Sequence, residues 1–185
     1  AEWDKISSET HTVQDLYTGW IMVLAAIPAI AGFIGFSIVG VGAFGLSYRV
    51  PLVNGISHAI ATYLLSLGSV YVFALVIDTL STKFGGEKNF IQSLKLTAYS
   101  YTAAWIAGIF QLIPGIGGII GLLAAIYSFY TFYLGVPVLK KCPPDKAVVY
   151  TIVVVVCGIL LGLVLGGLLV SAFVGGTAGM MGLGL

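Results

Sequence analysis

The apolar residues of this chain fall into long runs separated by short polar segments. Asp, Glu, Lys and Arg are all absent from residues 16–48, 50–77, 96–139 and 147–185. A helix that crosses the hydrocarbon of a bilayer takes roughly 20 apolar residues, so the first, second and fourth runs each suit one helix. The third run suits two, because segment 113–118 contains Pro114 and several glycines and interrupts it as a hairpin turn would.

This pattern predicts an all-α protein, a polytopic membrane bundle of five transmembrane helices. A membrane β-barrel is disfavoured, because barrel strands alternate polar and apolar residues whereas these runs are apolar on all sides. The predicted spans are residues 19–46, 53–82, 91–112, 116–139 and 147–174. The predicted organisation is a short cytoplasmic segment (1–18), the transmembrane domain (19–174) and a Gly-rich tail (175–185).

Composition and charge support this assignment and add an orientation. The chain is 59% hydrophobic and 8% charged, whereas a soluble domain of this length needs more charge on its surface. Basic residues stay on the cytoplasmic side of a membrane. With five spans, the N-terminal side holds Lys5, Lys83, Lys88, Lys95, Lys140, Lys141 and Lys146. The other side holds only Arg49, so we expect a cytoplasmic N-terminus and an external C-terminus.

Signals for targeting, catalysis and metal binding are sparse. The start AEWDKISSE lacks the features of a cleavable signal peptide, so the first span is expected to act as an uncleaved signal-anchor. Motifs for nucleophilic, zinc or phosphate chemistry are absent. Cys142 and Cys157 are predicted at different depths, and His11 lies far from His58 in the sequence. We therefore expect no enzyme activity, disulfide, metal, cofactor or nucleic-acid partner.

Small residues recur at every fourth position of the fifth predicted span. One ridge consists of Gly158, Gly162 and Gly166, and the neighbouring ridge of Gly167, Ser171, Gly175 and Gly179. Such ridges allow another helix to approach closely, and packing drives helix association in lipid. The partner helix is either another span of this chain or a helix of another subunit.

Polar groups inside membrane spans often indicate function. The candidates for a polar cavity are Asp78, His58, Tyr99, Tyr127 and Tyr130. For Asp78 a position among the lipid headgroups is favoured over the cavity, because Lys83 follows five residues later. For the tyrosines the alternative is an aromatic belt or ordinary core packing. Pro28 is expected to kink the first span, mainly as a packing feature.

Several segments resemble the Yip domain family, five-span membrane proteins named for interaction with Ypt/Rab GTPases. They are Asp15-Leu16-Tyr17, then AAIPAIAGFIG, the YTFYLGVPVLKK exit of the fourth span, and Lys146-Ala147. The resemblance covers residues 3–174 and implies five helices with the N-terminus inside. Eukaryotic members carry Gly-Pro after this Asp-Leu-Tyr motif and a long cytosolic N-terminal region. Here Thr18-Gly19 follow Tyr17 and about eighteen residues precede the first span, so the chain resembles the bacterial inner-membrane branch.

The function expected from these patterns is that of a membrane scaffold or adaptor. Its expected partners are the lipid bilayer and either a second copy of the chain or another membrane protein. The alternative is a small transporter or channel for a solute or ion, with a path between Pro28, the third-span tyrosines and Asp78. The expected location is the bacterial inner membrane, or the ER or Golgi membrane if the source is eukaryotic.

Overall fold

The computed structural model describes residues 2–43, 46–113 and 116–182, with side chains described at 2–40, 49–113 and 116–171. Its helices are α1 (Glu2–Ser8), α2 (Val13–Val39), α3 (Leu52–Ser81), α4 (Phe90–Ala107), α5 (Ile116–Leu139) and α6 (Pro144–Gly182). Short 3-10 turns, Thr82–Phe84 and Gly108–Leu112, follow α3 and α4. Between α2 and α3, strands β1 (Val41–Ala43) and β2 (Leu46–Tyr48) pair antiparallel.

The first long helix begins and ends earlier than predicted. Thr12 and Asp15 form a capping box, in which each side chain bonds the backbone N–H of the other, so α2 starts at Val13 rather than at residue 19. Gly40 has a φ of 87° and ends the helix at Val39 rather than at residue 46. A residue with a side chain rarely adopts that conformation. The predicted span 19–46 is therefore corrected at both ends.

Four helical segments are long and apolar enough to cross a membrane. They are Val13–Val39, Leu52–Phe84, Ile116–Leu139 and Pro144–Ser171, and they correspond to the first, second, fourth and fifth predicted spans. Helix α4 and the 3-10 turn after it occupy the third predicted span, but they are not among these four.

The position of α4 explains its more polar composition. It packs against α2, α3 and α5, and residues 94–98 are each at most 1% exposed. That run includes Lys95 and Thr97, which a lipid-facing helix would expose at a large energetic cost. Because neighbouring helices enclose α4, its polar side chains meet protein groups instead of lipid.

The apolar core has two parts that meet at α3 and α4. The first joins α3, α4, α5 and α6 and contains Phe73, Ile77, Leu96, Phe132, Val136, Leu139, Cys142, Ala147, Tyr150 and Val154. The second joins α2, α3 and α4 and contains Leu16, Ile21, Ala25, Val70, Ala74, Leu94, Ala98 and Trp105. Together they hold the helices in one bundle.

Close backbone contacts join α2 to the 3-10 turn after α4. A Cβ added at Gly108 would lie 2.6 Å from Cβ of Pro28, and one at Gly35 would overlap the backbone oxygen of Gln111. The proline of α2 therefore packs against a glycine of the neighbouring element. Only residues without a side chain allow these separations.

The last helix leaves the bundle part of the way along its length. Only 6% of its most apolar 18-residue stretch is buried inside the protein. Val154 is the last residue of α6 among the buried residues of the first core. The backbone of α6 continues as helix to Gly182, past the predicted start of the tail at residue 175. The packing of Gly175 and Gly179 lies outside the described residues.

Candidate functional site

A buried ion pair lies at the end of the bundle where α3 ends, α4 begins and α5 ends. The ammonium of Lys140 lies 2.8 Å from Oδ1 of Asp78, and the two side chains are 0% and 7% exposed. Three chain segments converge on the pair and enclose both side chains. It is the most enclosed charge cluster in the part of the chain that the structure describes.

Neighbouring polar groups complete the coordination of the pair. The ammonium of Lys140 also donates to Oγ of Ser93 (2.8 Å) and to the backbone oxygen of Asn89 (3.2 Å). Oδ1 of Asp78 also accepts from the backbone N–H of Asn89 (2.7 Å) and from the Ser93 hydroxyl (3.2 Å). A lysine ammonium has three donors, and all three are used here. The cluster therefore ties three helices together without an unpaired charge.

The backbone reinforces this cluster across the connecting segments. The N–H of Glu87 donates to the backbone oxygen of Lys140 (2.8 Å), and the N–H of Gly86 to that of Ser81 (2.8 Å). Burial lowers the pKa of Lys140 from its ordinary value, while the hydrogen bond and charge of Asp78 oppose that shift.

The expectation that Asp78 is a solvated charge is wrong, since it is buried and paired. Its residue is 5% exposed and its partner, Lys140, is 62 residues away in the sequence. The spacing to Lys83 suggested the end of a helix but carried no information about a partner on α5. The sequence did contain a signal for this pair, because Lys140 lies at the exit of the fourth predicted span and Asp78 near the end of the second.

A second buried lysine holds the N-terminal helix. The ammonium of Lys95 donates to the backbone oxygens of Ile6 (2.7 Å) and Glu9, and the Gln92 side chain donates to that of Ser7 (3.1 Å). These acceptors are carbonyls at the C-terminal end of α1, where a cation is favourable. The Trp3 ring also packs against the first core. Of the predicted N-terminal segment, residues 2–18 are thus partly helical and docked on the bundle.

The three family-motif residues have separate structural roles. Asp15 forms the capping box with Thr12, Leu16 is 2% exposed in the second core, and the Tyr17 hydroxyl donates to the backbone oxygen of Leu67 (2.9 Å). The motif therefore starts α2 and fastens it to α3.

The residues of the predicted polar cavity do not lie together. Asp78 belongs to the ion pair, and His58 lines a cavity at the other end of α3. Tyr99 packs on Trp20, with ring centroids 5.1 Å apart. Tyr127 and Tyr130 are 56% and 57% exposed on α5, where an aromatic belt would place them.

The glycine ridge of α6 is packed at one end only. A Cβ added at Gly158 would lie 2.8 Å from the Phe73 ring, whereas one at Gly162, Gly166 or Gly167 would meet nothing within 4 Å. Ser171, the last residue of the ridge with a described side chain, is exposed. Within the described chain, most of the ridge is uncovered.

The two cysteines are both free thiols. Cys142 is 3% exposed, and its thiol donates to the backbone oxygen of Phe84 (3.3 Å). Burial raises the pKa of the Cys142 thiol, so this group is protonated and shielded at neutral pH. Across the described residues, His, Cys, Asp and Glu form no group of three or more placed to hold a metal ion.

Comparison with known proteins gives one family match and two individual relatives. The Yip1 domain family matches residues 1–182. Inner membrane protein YohC from Escherichia coli strain K12 is 25% identical over 114 residues, which cover 61% of this chain and 58% of the relative. YohC from E. coli O6:H1 gives the same values. The chain thus aligns with little more than half the length of these curated relatives.

No solved structure is significantly similar to the chain. The family match extends over nearly its whole length and confirms the resemblance carried by Asp15-Leu16-Tyr17 and the segments after it. This chain belongs to the Yip1 domain family.

Proposed function

We propose that this protein is a five-span scaffold or adaptor of the bacterial inner membrane, which acts through helix packing and catalyses no reaction. Family membership and the four long apolar helices support a polytopic membrane protein. The name of the E. coli relatives supports the inner membrane as its location.

The proposal of five spans depends on α4. Its 18 residues extend about 27 Å at 1.5 Å per residue, close to the roughly 30 Å of a hydrocarbon core. The 3-10 turn to Leu112 adds further length. With α4 as a span, the two termini lie on opposite sides of the membrane.

The lysine distribution supports a cytoplasmic N-terminus. Lys83, Lys88 and Lys141 are exposed at the end of the bundle that holds the Asp78–Lys140 pair, whereas Arg49 is exposed beyond the other end of α3. Because Cys142 is buried, labelling requires introduced cysteines. In a chain with both native cysteines changed to serine, Lys88→Cys and Arg49→Cys place one thiol at each end.

An impermeant maleimide applied to intact cells should label Arg49→Cys, and should label Lys88→Cys only after lysis. Arg49→Cys increases the asymmetry of Lys and Arg between the two sides, so it does not bias the chain towards inversion. The reverse pattern would overturn the proposed orientation, and labelling of both thiols from outside would overturn α3 as a membrane span.

The single observation that carries the scaffold role is the uncovered part of the α6 ridge. Gly162, Gly166 and Gly167 are exposed, and among the described residues nothing lies within 4 Å of a Cβ added at any of them. In lipid, a ridge of small residues associates with another helix by close packing rather than by hydrophobicity. We infer that the covering helix belongs to a second copy or to another membrane protein.

The test is Gly162→Ile, whose branched side chain would occupy the place of an approaching helix. The complex isolated in mild detergent should become smaller, while the melting temperature stays unchanged because the position is open within the chain. Gly68→Ile is the matched control, since Gly68 is an exposed glycine of α3 with nothing within 4 Å. It should leave complex size unchanged.

Gly158→Ile provides the opposite reference. Its side chain meets Phe73 of the same chain, so overpacking should lower stability by about 1–3 kcal/mol. If Gly162→Ile behaves like Gly158→Ile, the ridge packs internally and the scaffold proposal loses its support. Light scattering combined with size exclusion measures the size, and thermal unfolding measures the stability.

A further inference from the structure

A cavity of about 510 Å³ lies at the end of the bundle opposite the Asp78–Lys140 pair. It opens between α2, α3 and the 3-10 turn after α4. Its described walls include Pro28, Gly32, Phe33, Asn54, His58 and Gln111. Sites for small ligands have about 300–1,000 Å³, mostly apolar walls and a few convergent polar groups. This cavity has all three properties.

The polar wall of the cavity is a ridge along one face of α3. Asn54, His58 and Thr62 are spaced four residues apart, so they lie about 6 Å apart along the helix. Asn54 and His58 are exposed, and Oγ1 of Thr62 lies 3.5 Å from Nδ1 of His58. Polar side chains at this depth are costly when they face lipid tails. The ridge therefore presents hydrogen-bonding groups to a polar occupant of the cavity.

The charges around the cavity favour an anionic head group. None of the described lining residues is acidic, and the sequence contains no Asp or Glu between Asp15 and Asp78. Arg49 is exposed and directly precedes Val50 and Pro51, which line the cavity. An anion at this end would meet a cation at the mouth and hydrogen-bonding groups within.

An apolar compartment adjoins the polar one. A second cavity of about 330 Å³ is lined by Ile30, Ile56 and Ile60 among others, with no polar surface. Ala29, Phe33 and Ala59 line both cavities. The seam between α2 and α3 thus offers a polar site and an acyl-chain site side by side.

We propose that this seam binds an amphiphile with a carboxylate or phosphate head and an acyl chain. The head group hydrogen-bonds to the ridge of Asn54, His58 and Thr62, and the chain lies along the apolar cavity. A free fatty acid and an anionic phospholipid share this chemistry. The site adjoins the α6 ridge, because Thr62 also lines the cleft that Gly158 and Gly162 border.

The experiment uses the full chain in nanodiscs of phosphatidylcholine, with a photoreactive fatty acid as probe. Crosslinks should map to peptides of α2 and α3. Loss of a hydrogen bond to a charged head should weaken labelling of His58→Leu by about tenfold or more. Ser57→Ala is the matched control, because Ser57 lies beside His58 but outside the cavity and bonds the backbone oxygen of Val53 (3.0 Å).

Two further arms identify the head group and its source. A photoreactive fatty alcohol should label far less than the acid, since it carries no charge. Competition by phosphatidylglycerol in the nanodisc would indicate a membrane phospholipid, and persistence of labelling would indicate a free fatty acid. Equal labelling of wild type and His58→Leu, or of acid and alcohol, would overturn the proposal. Asn54→Leu repeats the test if His58→Leu does not fold.

Discussion

Replacing Lys140 by methionine tests the ion pair directly. Methionine keeps an unbranched side chain of similar length but removes the ammonium, so Oδ1 of Asp78 loses its 2.8 Å partner while the carboxylate stays buried. The Ser93 hydroxyl and the Asn89 carbonyl lose a donor at the same time. The substitution therefore leaves one uncompensated buried charge, while the Asn89 carbonyl keeps the Ser93 N–H as a donor and the Ser93 hydroxyl keeps Asp78 as an acceptor.

The expected loss of stability is large. Removing one partner of a buried ion pair costs about 3–5 kcal/mol. Lys141→Met is a matched control at the adjacent position, because the Lys141–Glu87 pair has a similar distance of 2.9 Å but side chains 66% and 61% exposed. Exposed pairs contribute about 0–1 kcal/mol. At about 2–4 °C per kcal/mol, Lys140→Met should melt about 6–20 °C below wild type.

The assay is loss of helical circular dichroism on heating in one detergent. The double variant Asp78→Asn/Lys140→Met should recover much of the lost stability, since both buried charges are then absent and the Asn side chain still presents an acceptor to the Asn89 N–H. Equal melting temperatures for Lys140→Met and Lys141→Met would refute the reasoning. A double variant as unstable as the sum of the single changes would refute the coupling.

Two further predictions follow from buried contacts elsewhere. Lys95→Met removes the donors to Ile6 and Glu9, so α1 should detach, and tryptic cleavage after Lys5 should accelerate about tenfold or more by mass spectrometry; no acceleration relative to Lys88→Met would contradict the docking. Gly35→Ala places a Cβ in overlap with the backbone oxygen of Gln111 and should destabilise the protein by about 1–3 kcal/mol in thermal unfolding. Gly19→Ala, at an open position of the same helix, should be neutral or stabilising; a similar loss at both would contradict the close approach.

Long charge-free runs made the membrane class and most helix positions predictable. Lipid solvates apolar side chains wherever they point, so the signal is compositional and survives without knowledge of the neighbours. The runs at α3, α5 and α6 agree closely with the observed helices. The capping box of Thr12 and Asp15 was also visible in the sequence, and it would have placed the start of α2 correctly.

The helix at the centre of the bundle could not be recognised as such from the sequence alone. Lys95 and Thr97 make α4 look less suited to a membrane than its neighbours, yet both are buried by other helices. Likewise, Gly158 and Gly162 are equivalent in the sequence pattern, but only Gly158 packs against another part of the chain. Composition shows whether a residue prefers lipid or water. It does not show whether the residue is instead surrounded by other parts of the protein.

The partners of the polar residues were decided by tertiary structure. Asp78 and Lys140 are 62 positions apart, and no local period relates them, because helix geometry extends only over a few turns. The same holds for His58 and Gln111, which line one cavity from different elements. The sequence by itself determined that the chain enters a membrane as helices, since that depends on summed transfer free energies. Which buried charges are neutralised, and where a cavity remains, depends on distances between segments that only packing sets.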